Sequence, residues 1–365
     1  MKFAILFFLS AFLPLILCEF NQTWHYSVFS SEPLFYRIKI GNDNRYVNVH
    51  VDTNRFYSLV FGPECFTQDS KCRPYSSDFV YSTYNTGGVR VRPDTTYIDK
   101  FNDLAKYEFE LYQDSITLGL QTFVLELGVI IDAYFPSAVR YSGFLGLGIS
   151  EDKTSIVKQL MQDLTYPQIT FQEARRYVSK KNESMDVNGY GSIVFGEYDE
   201  EYCGNFTFIE TIANNKWRFK KDITTSNGTV LKDQVIALAV GQDSQIPQEI
   251  YDDEILTKEH ADPNDFPSFS FTHDGKEYNL NASDYAWYRE DRGLYSAHIS
   301  SAKPTYGYDF ALGSDFLQHY CVALRSDSNF TKLEIGFAEN FGRNSGMRYA
   351  ASTSLLLVLF ALYLR

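Results

Sequence analysis

An aspartate at the end of an apolar run is the first residue in this chain whose placement suggests chemistry. It lies in VNVHVDTNRFYSLV, residues 47–60, where an alternating β-branched run leads into Asp52-Thr53-Asn54. A carboxylate held at such a turn can act as a general base when a second group supplies the matching acid. Without that second group it is a turn residue whose oxygens bond backbone amides. His50 stands two residues earlier, on the same strand face, and Ser58 follows. These are residue types of nucleophilic catalysis, but no oxyanion donor can be named beside them. His50 therefore reads as a satisfied, partly buried residue. In the second half of the chain, Asp233 and Asp243 flank the apolar stretch QVIALAV.

The elements that must position these groups are strands. FYRIKI, YVNVHV, FYSLVF, YEFELY, DSITLG and FVLELGVII are short, rich in β-branched and aromatic residues, and separated by Gly, Asn and Asp. FPSFSFTH, KEYNLN, LYSAHIS, CVALRS and KLEIGFA continue the pattern after residue 260. Helical periodicity is confined to SIVKQLMQDL, residues 155–164, and a short helix is expected within 243–256. Many strands and few helices predict a mostly β protein. SGFLGLG (142–148) and DFALGSDFL (309–317) each place apolar residues before Leu-Gly, a weak internal echo of a duplicated β-unit. The polar stretch 172–188 reads as the linker. The expected organisation is 1–18 as a signal peptide, 19–175 and 176–340 as two β-lobes, and 341–365 as a spacer with a hydrophobic anchor signal.

Length and composition allow this. The chain has 365 residues, 16% aromatic and 22% charged, enough for two globular cores. Its net charge of −13 argues against nucleic acid, whose phosphates require clustered Lys and Arg. The basic run RRYVSKK (175–181) reads as solvated loop charge. Lys2 followed by an apolar run to Cys18 is the pattern of a secretory signal, with an N-terminal anchor helix as the alternative. At the other end, Asn344-Ser345-Gly346, a spacer and the apolar tail Leu355–Leu364 fit a glycolipid-anchor signal; the alternative is a short membrane anchor. Sequons at Asn21, Asn182, Asn205, Asn227, Asn281 and Asn329 suit a glycosylated extracellular surface. With Cys18 assigned to the signal, Cys65, Cys72, Cys203 and Cys321 remain. Four cysteines in a secreted chain allow three pairings. Cys65–Cys72 is the natural local pair, which leaves Cys203–Cys321 as a long-range staple. No paired C-x-x-C spacing suggests a metal, and no cofactor is expected.

From about Tyr36 to Ala338 the chain resembles the pepsin-like aspartic proteases. FYRIKIGNDNRYVNVHVDTNRFYSLV is similar to that family's first-lobe segment, YSGFLGLG to the element behind its first aspartate, and YGSIVFGEYDEEYCGNFTFIE to its crossover. YDFALGSDFLQHYCVALRSDSNFTKLEIGFAEN resembles its C-terminal signature. The resemblance implies two β-lobes around a central cleft, each supplying one Asp on an Asp-Thr-Gly turn. It also places Cys65–Cys72 where the family's first disulfide sits.

The resemblance makes the departures visible. Two carboxylates sharing a proton are the essence of that chemistry. Counting back from Pro247 puts the second aspartate at Leu238, with Leu238-Ala239-Val240 where Asp-Thr-Gly belongs. Asn54 replaces the first glycine and is expected to tolerate the left-handed turn better than other residues. Arg55 replaces a small hydroxyl residue and is expected to favour ionised Asp52. The cleft-covering hairpin falls in TYIDKFNDLAKYEF, with Tyr97 or Phe101 in its aromatic position and no glycines after either. Only about 17 residues separate the expected signal cut from Tyr36, shorter than the family's prosegments. The expectation is a monomeric, secreted or cell-surface relative without peptidase activity that binds a peptide or protein in its cleft. The alternative is an active acid endopeptidase using Asp52 and a second carboxylate elsewhere.

Overall fold

A computed structural model describes residues 20–26, 35–43, 45–66, 72, 81–82, 86–102, 105–118, 121–134, 142–149, 155–164, 166–173, 189–196, 202–213 and 216–341. The signal segment, the hydrophobic tail, Asn182 and most of the polar stretch 172–188 lie outside them. Among the described residues no helix is long and apolar enough to cross a membrane.

Strands carry the architecture, and each half of the chain builds its own sheet. Residues 35–146 supply an eight-stranded sheet and residues 218–312 a seven-stranded one. A six-stranded sheet joins the halves. Its order is Phe20–Tyr26, Gly189–Phe195, Gln168–Gln172, Tyr320–Ser326, Leu333–Glu339 and Thr207–Glu210. A small three-stranded sheet holds Glu259–His260, Leu294–Ala297 and Ala286–Arg289. This is the expected mostly β architecture with few short helices.

YEFELY and DSITLG fuse into one 14-residue strand, Ala105–Leu118, because no Gly or Pro interrupts the run between them. It pairs antiparallel along its length with Gln121–Tyr134. The helix expected over 155–164 forms at Ile156–Asp163 and buries Ile156, Val157, Leu160 and Met161 on one face. The one expected within 243–256 is a helical turn, Gln248–Ile250, running into a π-turn, Tyr251–Ile255.

The repeated element is a parallel strand pair in each half. Val47–Asp52 lies beside Gly143–Gly146, and Val230–Leu238 beside Phe310–Leu312. Glycine is required behind each loop. A Cβ on Gly146 would lie 2.5 Å from the Tyr57 carbonyl oxygen, and one on Gly313 would lie 2.3 Å from that of Gln242.

Both disulfides form as expected, Cys65–Cys72 and Cys203–Cys321. Asn205, Asn227, Asn281 and Asn329 are exposed, and Asn21 lies in the Phe20–Tyr26 strand. The Asn281 side-chain amide donates to Asp284 Oδ2 (3.0 Å) in a helix-capping arrangement.

Candidate active site

Asp52 ends its strand buried, 2% exposed. Its Oδ1 accepts the Asn54 backbone N–H at 2.9 Å, and its Oδ2 lies 3.5 Å from Arg55 Nε. The Arg55 guanidinium is itself buried between Tyr107 and Phe144, 4.7 and 4.3 Å from their ring centroids. Cation–π contacts on two rings and a carboxylate thus hold a charge that burial alone would expel. His50 packs on Phe144, and burial lowers its pKa to about 4, with Asp52 opposing the shift and Arg55 adding to it. Its imidazole is neutral at physiological pH. Ser58 Oγ accepts the Gly146 N–H at 3.1 Å, a structural bond behind the loop. Asn54 does not adopt the left-handed conformation anticipated for it.

The ladders identify the counterpart of Asp52 in the other half. Val51 pairs with Leu145 and Asp52 with Gly146, while Leu238 pairs with Leu312. Gly313 closes on Ser244 Oγ (2.9 Å) as Gly146 closes on Ser58 Oγ. Gly146 and Gly313 are therefore equivalent, and the residue matching Asp52 is Ala239. This corrects the assignment to Leu238 by one residue. The reason is a shorter loop: six steps lead from Asp52 to Ser58, but five from Ala239 to Ser244. Counting back from Pro247 crosses that deletion. Gly241, in the left-handed region at φ 72°, is the turn glycine two residues beyond Ala239 and was the available signal.

Leu238 keeps a different role, because its carbonyl is the contact between the two loops. Thr53 Oγ1 donates to it at 3.0 Å and Asn54 Nδ2 at 2.7 Å. Val240, the counterpart of Thr53, has no hydroxyl to return the bond. Leu238, Ala239 and Val240 are all buried and apolar. Trp217 adds a second tie between the halves, its Nε1–H donating to the Leu147 carbonyl at 2.7 Å.

The Gly241 amide still meets a carboxylate. Glu173, buried at the end of the Gln168–Gln172 strand, accepts it through Oε1 at 2.9 Å. In the first half the equivalent amide, that of Asn54, is accepted by Asp52 itself. Sequence reasoning missed Glu173, because the contact spans 68 residues. The flanking carboxylates do not replace it. Asp233 lies in a hairpin where its backbone N–H donates to Asp222 Oδ1, and Asp243 is half-buried beyond the loop glycine.

Tyr97 and Phe101 both lie in the strand Tyr97–Asn102, which forms a hairpin with Ala105–Leu118. Tyr97 stacks on Phe109 at 5.6 Å and takes a hydrogen bond from Arg92 Nη1. Among the described residues no cluster of three or more His, Cys, Asp or Glu converges to hold a metal ion.

The family model of eukaryotic aspartyl proteases matches residues 34–340. The chain belongs to that family. The match takes in both loops, both parallel strand pairs and both disulfides, so the absent loop carboxylate at Ala239 is a change within an aspartyl protease fold.

Proposed function

We propose that this member of the aspartyl protease family is a secreted or surface-attached protein that binds an extended peptide or protein segment in its cleft without cleaving it. The observation that carries the reading is Ala239 in the place equivalent to Asp52. General acid–base exchange through a water needs two carboxyl groups within hydrogen-bonding reach, and Ala239 offers no proton. Strand-edge pairing gives an open β cleft affinity for peptide backbone regardless of hydrolysis. The signal-like N-terminus, the six sequons and the C-terminal tail support export, glycosylation and glycolipid attachment. No nucleic-acid partner or cofactor is proposed, and the protein is taken to act as a monomer.

One observation favours a second reading. Glu173 receives the amide of the second loop as Asp52 receives that of the first, so an acid endopeptidase would run on Asp52 and Glu173. The two are separated by assaying the full chain, purified from a eukaryotic secretory host, on a mixed peptide library from pH 3 to 7. Asp52→Asn and Glu173→Gln variants serve as controls. Cleavage no higher than in the variants is expected. Acid-optimal cleavage abolished by both substitutions would overturn the binding reading and establish the second one.

A further inference from the structure

One arginine of the second-half sheet, Arg218, has no acidic partner among the described residues. Arg218 begins the strand that pairs with Val230–Leu238, opposite Ala237. Its neighbour Trp217 makes the tie to Leu147 described above. Arg218 Nη1 donates to the Gly307 carbonyl at 2.9 Å, and its guanidinium lies 5.1 Å from the centre of the Tyr308 ring. Gly307 takes φ 70°, a left-handed turn that glycine adopts without strain. Arg218 Nε is buried with no hydrogen-bond partner, and no carboxylate lies within ion-pair distance among the described residues. Burial lowers the Arg218 pKa, as for a charge that has lost water without gaining an anion.

Tyr308 connects this cation to the loops. Its ring packs on Ala237, Ala239 and Ala311, the small residues around the position matching Asp52. Its hydroxyl donates to Gln245 Oε1 at 2.9 Å, and Asp52 is close enough to add to the rise in its pKa. Arg218 is thus one ring removed from the loop that lost its aspartate. In a protein of net charge −13, a half-buried guanidinium with no ion-pair partner among the described residues is set apart from the surface pairs.

We propose that Arg218 binds a carboxylate of the cleft ligand, supplied by an Asp or Glu side chain or by a free C-terminus. The proposal rests on the peptide-binding reading above and specifies its ligand chemistry. A guanidinium fork with one arm already given to Gly307 suits a single carboxylate. A phosphate, carrying nearly two charges, calls for clustered cations; Lys220 shares the strand face of Arg218 but is exposed, whereas Arg218 is half-buried against Tyr308.

The test uses the full chain and a set of acetylated octapeptides of Ala, Leu and Tyr. In one arm a Glu is stepped through each position with the C-terminus amidated. In the other the C-terminus is free and no Glu is present. Gln-containing amides are the neutral controls, and binding is read by fluorescence anisotropy. At least one acidic arm should bind about tenfold more tightly than its neutral control, as for a charge-assisted bond. Arg218→Gln should erase that preference and leave neutral binding in place, while Arg218→Lys should keep part of it. Neutral and acidic peptides binding alike, or a preference that survives Arg218→Gln, would overturn the proposal and leave peptide binding standing. Succinate, followed by its effect on melting temperature, provides a peptide-free arm. A shift with succinate that Arg218→Gln abolishes, with no octapeptide bound, supports the carboxylate site and removes the peptide reading. No response to either probe overturns both.

Discussion

His50 and Asp52 share one strand end, yet burial acts on them through different partners. Asp52 is held by a backbone amide and Arg55, and His50 sits against Phe144 as a neutral imidazole. The folded state resists protonating His50 until about pH 4, whereas an unfolded histidine takes its proton near 6.5. Stability from this residue is therefore complete above pH 6.5 and lost as pH falls through that window. The loss is about 1.4 kcal/mol per pH unit at most. Urea unfolding at pH 7, 5.5 and 4.5 should show a steeper decline for the native chain than for His50→Gln. Equal slopes would mean that the imidazole is not kept neutral. His50 was expected to be partly buried, and it is only 5% exposed, with its ring against Phe144.

At the scale of elements, the second loop shows how a fold absorbs a lost carboxylate. The Gly241 amide is buried and needs an acceptor, and Glu173, the residue after the Gln168–Gln172 strand of the sheet shared by both halves, supplies one. Returning an aspartate to the loop should consequently fail on its own. Ala239→Asp would bring a second negative group to an amide already occupied, and Glu173→Ala would leave that amide without its acceptor. Each is expected to cost about 1–3 kcal/mol. Combined, Ala239→Asp and Glu173→Ala should recover much of the loss, because one carboxylate again serves one amide. A double-mutant cycle by chemical denaturation measures this coupling. Strictly additive losses would show that the two positions do not share the amide.

For the whole molecule, the two disulfides constrain very different lengths of chain. Cys203–Cys321 closes 118 residues and ties the segment between the Gly189–Phe195 and Thr207–Glu210 strands to the Tyr320–Ser326 strand, whereas Cys65–Cys72 closes seven. The chain-entropy model assigns about 5 kcal/mol to the first and about 2 kcal/mol to the second. Replacing Cys203 and Cys321 by serine should lower the melting temperature clearly more than replacing Cys65 and Cys72. Similar shifts would place the stabilisation in local packing instead. The two halves also meet at Leu238 and Leu147, each through one carbonyl. The loops are held across the centre by three side-chain donors, all from residues outside the catalytic pair of the family.

Much of this was legible along the chain. Strand periodicity depends on near neighbours and predicted the mostly β fold; the short Cys65–Cys72 spacing predicted the local disulfide and left Cys203–Cys321 as the other, while the family was read from the resemblance of ordered segments. The absence of a carboxyl from residues 238–240 is likewise a property of the sequence alone. Which of those residues faces Asp52 was not legible, because a loop shortened by one residue breaks any count made across it. The ladder between Leu238 and Leu312 decided for Ala239. Glu173, Arg218 and Tyr308 were invisible for a related reason: their partners lie tens of residues away, and only packing of the shared sheet and the second-half sheet brings them to the loops.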